Sequence, residues 1–99
     1  MDRPLKDEKK LIGLLKQGDQ EAYRVLVRQY QQMVFRIAYG ITLDREESLY
    51  IAQEVFLKVY QKIDTFEQKA ALSTWLHRIT VNQSLKGVDI LIEIGRAHV

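Results

Sequence analysis

Residues 45–63 constrain the fold most, because their apolar side chains recur at helical spacing and therefore predict a helix with one side in the core. The opposite side of this helix is a mixture of apolar, amide and charged residues. The core-facing side of this central helix consists of four apolar residues, Ala52, Phe56, Val59 and Ile63. The opposite side, here called the docking face, consists of Tyr50, Gln53, Glu54, Leu57 and Gln61. A solvated helix face is usually rich in charge, so this mixture predicts a surface that binds another molecule. The alternative is that Tyr50 and Leu57 cover a neighbouring helix of the same chain.

Two amphipathic helices are predicted before the central one. The first begins near Pro4, the only proline, and ends at Gly18. Asp19 is placed to cap the second helix, whose apolar stripe continues until residues 40–43, and Asp44 is placed to cap the central helix. The outer side of the second helix carries three arginines, Arg24, Arg28 and Arg36. Such a basic set is more often a solvated face than a binding site.

After the central helix, residues 64–71 lack apolar periodicity and are predicted to form a loop that contains Phe66. The phenylalanine ring is either buried beneath the loop or presented to a flat partner such as a base. The hydrophobic effect alone favours burial, because removing an aromatic side chain from water is strongly favourable. A last helix follows, with Ser73 or Thr74 as its cap and Gly87 at the C-cap position.

One flank of this last helix combines two cations with an amide. Arg78, Asn82 and Lys86 recur every four residues, and Trp75 lies beside them. These side-chain types hold phosphates and contact base edges, so the flank predicts a nucleic-acid surface. The alternative is a polar exterior above a core tryptophan, and Trp75 itself is assigned mainly to the core.

Composition excludes several other classes of protein. Ninety-nine residues allow one domain, and the absence of cysteine removes disulfides and thiolate metal sites. Without a long apolar run or a signal-peptide core, we expect a cytoplasmic protein with no membrane span. There is no glycine-rich phosphate loop and no paired-histidine metal spacing, so we expect no enzyme activity, cofactor or metal, and a surface position for His77.

Four separated segments carry a resemblance to a known family: LKQGDQEAY at 15–23, IAQEVFLKVY at 51–60, IDTF at 63–66 and LSTWLHRITVN at 72–82. In this order and spacing they resemble the second conserved region of bacterial sigma factors of the extracytoplasmic-function (ECF) type. The resemblance covers residues 5–86. It implies an all-α fold, a compact bundle of about four helices.

The resemblance also implies a function in transcription initiation. Such a domain binds core RNA polymerase at the clamp helices of the largest subunit, and recognises and melts the promoter −10 element by capturing its non-template strand. The predicted polymerase-binding residues are Tyr50, Gln53, Glu54 and Leu57. The resemblance assigns Phe66 to a loop that encloses a flipped base and Asn82 to the upstream edge of the element. The predicted DNA-binding residues are Phe66, Lys69, Trp75, Arg78, Asn82 and Lys86.

The chain departs from the family pattern in three places. Leu49 and Tyr50 stand where acidic residues usually precede the IAQE-like motif, and residues 67–69 are EQK where an Arg-Gly-Asp-like sequence is frequent. We expect residues 1–87 to form the region 2-like domain and residues 88–99 to be a non-matching tail. The tail ends in residues 93–99, which look like translated sequencing-adapter DNA and are treated as a cloning or sequencing artefact. In the usual architecture a linker and a second domain, which binds the −35 element, would follow, so we expect a fragment.

These departures leave a second function open. The chain is then a protein-interaction module that docks on polymerase or on an anti-sigma factor without productive recognition of DNA.

Overall fold

A computed structural model of the chain describes residues 3–97, with side chains from residue 8 to residue 86 and at Val88. The helices are α1 (Arg3–Lys16), α2 (Gln20–Thr42), α3 (Arg45–Lys62) and α4 (Leu72–Ala97), and a short 3-10 turn (Ile63–Thr65) follows α3. No strand occurs between residues 3 and 97. The predicted all-α fold of about four helices is therefore confirmed.

Aspartate side chains begin both α2 and α3, as their sequence positions predict. The Asp19 carboxylate accepts a hydrogen bond from the backbone N–H of Ala22 at 2.8 Å. The Asp44 carboxylate accepts one from the backbone N–H of Glu47, also at 2.8 Å. These bonds satisfy amides that the first turn of a helix leaves unpaired. Gly18 has φ of 82°, in the left-handed region that glycine adopts with little strain, so the chain turns after α1 where predicted.

The core lies where α2, α3 and α4 meet, and α1 packs on α2 and on the 3-10 turn. Buried side chains come from every helix and include Ile12, Leu26, Val34, Val55, Leu72 and Leu76. On the central helix, Phe56, Val59 and Ile63 are buried as predicted, whereas Ala52 is only partly covered. Burying each large apolar side chain is worth roughly 1.5–3 kcal/mol, so the helical stripes fix how the helices pack.

The last helix differs from its predicted bounds at both ends. It begins at Leu72, so Ser73 and Thr74 lie inside its first turn and neither is the cap. The prediction that Gly87 ends the helix is wrong, because the backbone stays helical to Ala97. A glycine inside a helix costs only about 1 kcal/mol relative to alanine, which the residues on either side can offset.

The buried side chains that the structure describes fall between Ile12 and Ser84, before the expected tail begins. We therefore expect that deleting residues 88–99 lowers the free energy of unfolding by less than about 1 kcal/mol, the scale of changes away from the core. Urea denaturation followed by far-ultraviolet circular dichroism measures this change. A larger decrease would place the domain boundary later than residue 87. His98 and Val99, also assigned to the tail, lie outside the described residues.

Candidate functional site

An open groove with a volume of about 1030 Å³ runs between α2 and α3. Its α2 wall includes Phe35, Arg36 and Tyr39, and its α3 wall includes Leu49, Gln53, Glu54 and Leu57. Both walls combine apolar surface with a few polar groups. Binding sites typically have this composition, because the apolar part provides affinity and the polar part fixes orientation.

The groove brings together three of the four residues predicted to bind polymerase. Gln53, Glu54 and Leu57 line it, Gln53 and Leu57 being exposed and Glu54 half-buried. Tyr50 is 58% exposed but does not line the groove. The alternative that Tyr50 and Leu57 cover another helix of the chain is therefore wrong, since Leu57 is also 49% exposed. The docking face is solvent-accessible, and most of it borders a concavity.

Sequence reasoning missed the contribution of α2 to this surface. The rings of Phe35 and Tyr39 stack on each other, with centroids 5.9 Å apart and planes at 16°. Tyr39 is 44% exposed, so the pair forms an apolar wall opposite the docking face. The four-residue spacing of the two aromatics was the available signal, because residues at that spacing meet on one helix face.

The arginines of α2 divide into two kinds. Arg24 and Arg28 form exposed ion pairs with Glu21, at 2.8 Å and 3.8 Å, and belong to a solvated face. Arg36 instead lines the groove between α2 and α3. Only the third arginine is therefore in a position to contribute to binding in the groove.

A hydrogen bond between the two helices holds one part of the groove wall. The Tyr23 hydroxyl donates to the backbone carbonyl of Phe56 at 2.7 Å. The ring of Tyr23 also meets Tyr60 edge to face, with centroids 5.6 Å apart. Burial, and secondarily the neighbouring Tyr60, raises the pKa of Tyr23 above its usual value. The hydroxyl therefore remains a neutral donor at physiological pH, and the bond fixes α2 against α3.

A second, shallower hollow with a volume of about 500 Å³ lies along the first half of α4. Arg78 and Asn82 line it together with Ser73, Thr74 and His77 of the same helix, and α2 contributes Met33. Arg78, Asn82 and His77 are exposed, as predicted, and the hollow presents a cation, an amide and hydroxyls together. Lys86 is exposed one turn beyond Asn82 but does not line the hollow.

The loop phenylalanine is buried. Phe66 is 4% exposed, and its ring stacks on Trp75 with centroids 4.8 Å apart and planes at 29°. The hydrophobic effect favours this buried position. In this conformation the ring has no free face on which a base could stack. The direct base contact that the family resemblance implies for Phe66 therefore stays a prediction, and it requires the ring to leave this position when DNA binds. Trp75 is partly buried against the core, as assigned.

The tip of the loop is exposed. Glu67 and Lys69 form an exposed ion pair at 3.3 Å, so Lys69 is accessible but has a local partner. Gln68 between them has φ of 61°, in the left-handed region. This is the position where the family frequently has the glycine of its Arg-Gly-Asp-like sequence. A side chain with a Cβ is strained in this conformation, so Gln68 adopts it at some cost in free energy.

Both ends of the loop are bound to α1, which the sequence did not predict. The Lys16 Nζ donates to the backbone carbonyl of Phe66 at 2.8 Å. The backbone N–H of Leu72, at the start of α4, donates to Glu8 Oε2 at 2.8 Å. Glu8 thus takes the capping role predicted for Ser73 or Thr74. The pKa of Tyr30 is raised, first by burial and second by the negative charge of Glu8.

Among the described residues, no group of histidine, aspartate or glutamate side chains is arranged to hold a metal ion. In the same part of the chain, no helix is both long enough and apolar enough to cross a membrane.

Comparisons with known proteins agree with the resemblance. The chain is 36% identical over 77 residues to the ECF RNA polymerase sigma factor SigW of Bacillus subtilis, an alignment that covers 78% of this chain and 41% of the relative. It is 36% identical over 74 residues to the ECF RNA polymerase sigma-E factor of Escherichia coli K12, covering 73% of this chain and 37% of the relative. The chain thus spans about two fifths of the length of these curated relatives.

A solved structure shares the fold. It is the NMR structure of an engineered region 2 of sigmaE in complex with GTAAAA, which matches with a TM-score of 0.76 and 31% identity over 91% of this chain and 90% of that one. The family model for Sigma-70 region 2 matches residues 26–88. Sigma factors are transcription initiation factors and not enzymes, which agrees with the expectation from the sequence. The chain therefore belongs to the Sigma-70 region 2 family, with ECF sigma factors among its relatives.

Proposed function

We propose that this chain is the part of a transcription initiation factor that binds core RNA polymerase and captures the promoter −10 element as a single strand. The observation that carries the proposal is that three of the predicted polymerase-binding residues line one concavity, that Arg78 and Asn82 of the predicted DNA-binding set line another, and that the two concavities share no lining residue. Two partners could therefore be bound at once, as initiation requires.

Polymerase binding is assigned to the groove between α2 and α3. Its aromatic wall of Phe35 and Tyr39 faces Leu49 and Leu57, which gives apolar surface for a helical partner such as the clamp helices of the largest subunit. Arg36 and Glu54 add one charge of each sign and would fix orientation. Leu49, which stands where the family resemblance would place an acidic residue, makes this groove more apolar.

DNA binding is assigned to the hollow on α4 and to the exposed loop tip. Arg78 and Lys86 supply cations for phosphates, Asn82 can exchange two hydrogen bonds with a base edge, and Lys69 adds a cation at the tip. The bound GTAAAA in the related region 2 structure supports a single-stranded ligand of this kind. Phe66 and Trp75 stack on each other, Phe66 buried and Trp75 partly buried against the core, so in this conformation they contribute to the surface less directly than the exposed residues.

One observation favours the alternative function. Because Phe66 is buried on Trp75, the loop offers no exposed aromatic ring for a base, as a protein-interaction module without DNA recognition would predict. Fluorescence anisotropy of labelled GTAAAA, with and without core polymerase, separates the two functions. Binding that depends on base sequence supports the initiation factor, whereas polymerase binding without DNA preference supports the interaction module, with an anti-sigma factor as its other partner.

A salt titration of single-stranded DNA binding to the reconstituted polymerase complex should distinguish residues that contact phosphates from residues that contact bases. Arg78→Ala and Lys86→Ala are each expected to weaken all sequences alike and to reduce the slope of log affinity against log salt by about 0.7 for each phosphate no longer neutralised. Asn82→Ala should leave the slope unchanged and relax discrimination at one base by about 1–3 kcal/mol. Lys62→Ala, an exposed lysine on α3 away from the hollow, is the matched control. An unchanged slope in both cation variants would remove the α4 flank from the DNA surface.

A further inference from the structure

The loop between the 3-10 turn and α4 is held at its two ends by one helix. Lys16 binds the carbonyl of Phe66 at the loop entrance, and Glu8 binds the N–H of Leu72 at the loop exit. The two α1 side chains are eight residues apart, which is about 12 Å along a helix axis, and the loop spans the gap between them. Both bonds involve a charged group, and charge-assisted hydrogen bonds are stronger than neutral ones.

The loop needs such support, because its own backbone is strained. Gln68 adopts φ of 61° without being glycine. A strained backbone persists only where the surrounding structure holds it. Within the loop, the side-chain contacts are the exposed ion pair of Glu67 with Lys69 and the burial of Phe66 on Trp75. An exposed ion pair contributes little, so the anchors at the two ends carry the conformation together with the buried ring.

We propose that Glu8 and Lys16 are positioning residues for −10 recognition, and that α1 sets which bases the loop tip accepts without contacting DNA itself. This inference rests on the proposed function. The tip residues Glu67, Gln68 and Lys69 point into solvent, and their position relative to the α4 hollow is fixed by the ends of the loop. A substitution in α1 that breaks one of these bonds therefore changes the position of the loop tip relative to Asn82. The polymerase groove lies between α2 and α3 and stays in place.

The test compares the full chain with Glu8→Ala, Glu8→Gln and Lys16→Met. The probes are labelled GTAAAA and hexamers with one base replaced, measured on the chain bound to core polymerase. Glu8→Ala is expected to lower the affinity ratio between the preferred and the base-replaced hexamers by about tenfold, as expected when a hydrogen bond to a charged group is removed. Glu8→Gln keeps an acceptor oxygen and should recover part of the ratio. Lys16→Met should resemble Glu8→Ala.

Two further measurements identify the cause. Hydrogen exchange of the Leu72 amide should become about tenfold faster in Glu8→Ala, because its acceptor is removed. Affinity for core polymerase without DNA should stay within about a factor of two in every variant. Glu21→Ala and Lys9→Met change exposed charges on α2 and α1 and should behave as the parent in all three measurements.

Three results would overturn the inference. The first is an unchanged exchange rate at Leu72 in Glu8→Ala, and the second is faster exchange with the base preference of the parent. The third is a decrease of polymerase affinity in parallel with the loss of base preference, which would mean that Glu8 supports the whole fold. If Glu8→Ala does not fold, the same measurements are made on the isosteric Glu8→Gln. A failure of the proposed function is distinguishable from a failure of this inference. Sequence-dependent DNA binding by the parent chain tests the proposed function, whereas the difference between parent and variants tests the role of α1.

Discussion

Glu54→Lys is expected to lower the affinity of the chain for core RNA polymerase by about 30-fold or more. Glu54 is half-buried in the wall of the groove between α2 and α3, so a partner seated there would desolvate it. Removing one member of a desolvated charge pair typically costs about 2–5 kcal/mol, and reversal of the charge adds repulsion. Lysine favours helix about as well as glutamate, so the helical content should not change. Fluorescence-detected titration of core enzyme measures the affinity, and circular dichroism checks the fold.

The matched control for this experiment is Glu46→Lys. Glu46 is an exposed carboxylate on the same helix, two turns away and outside the groove. Its reversal makes the same change of net charge, so long-range attraction or repulsion is altered equally in both variants. Polymerase affinity that is unaltered by Glu54→Lys, or lowered equally by both substitutions, would remove the groove as the polymerase site.

Phe66→Ala is expected to lower the free energy of unfolding by about 3–5 kcal/mol, the usual cost of emptying a buried aromatic site. The ring is almost fully covered and stacks on Trp75, so its removal leaves a cavity between the loop and α4. A domain of this size has about 5–15 kcal/mol in total, so the variant should unfold at much lower urea concentration. Phe35→Ala removes the same atoms from a half-buried ring in the groove and should cost clearly less. Equal decreases would contradict the burial of Phe66.

The substitution Phe66→Leu distinguishes a structural role of Phe66 beneath the loop from direct contact with a DNA base. Leucine nearly conserves the buried volume, so stability should fall by less than about 1.5 kcal/mol. Because the ring lies beneath the loop, we expect GTAAAA to bind Phe66→Leu with the affinity of the parent in the presence of core polymerase. If instead affinity fell by the 1–3 kcal/mol of a typical base–aromatic contact while stability was kept, the ring would leave Trp75 and stack on a base when DNA binds.

Local features of the fold were predictable from the sequence because their causes are local. Asp19 and Asp44 cap helices through amides three residues away, and apolar side chains at helical spacing have one face to bury. The exposure of Leu57 followed from the same periodicity. The family resemblance added the order of the motifs, and with it the two surfaces.

Features that depend on contacts between distant residues were not predictable in this way. Nothing near Leu72 in the sequence indicates that its amide is bound by Glu8, which lies 64 residues earlier. The stacked Phe35 and Tyr39 became part of a groove only because α3 lies opposite them. The end of α4 differs from its predicted position for another reason: one glycine inside a helix costs only about 1 kcal/mol, and the residues on either side of Gly87 favour the helix enough to offset it.

The anchors of the loop also have a consequence for synthesis of the chain. Glu8 leaves the ribosome 64 residues before Leu72, and Lys16 leaves it 50 residues before Phe66. At roughly 5 to 20 residues per second, translation separates Glu8 from its partner by about 3 to 13 s. During that interval the apolar side of α1, with Ile12 and Leu15, can pack against α2 and then against the 3-10 turn. The hydrogen bond from the Leu72 amide to Glu8 can therefore form only after the start of α4 has been synthesised, so α1 acquires its full set of contacts late in translation.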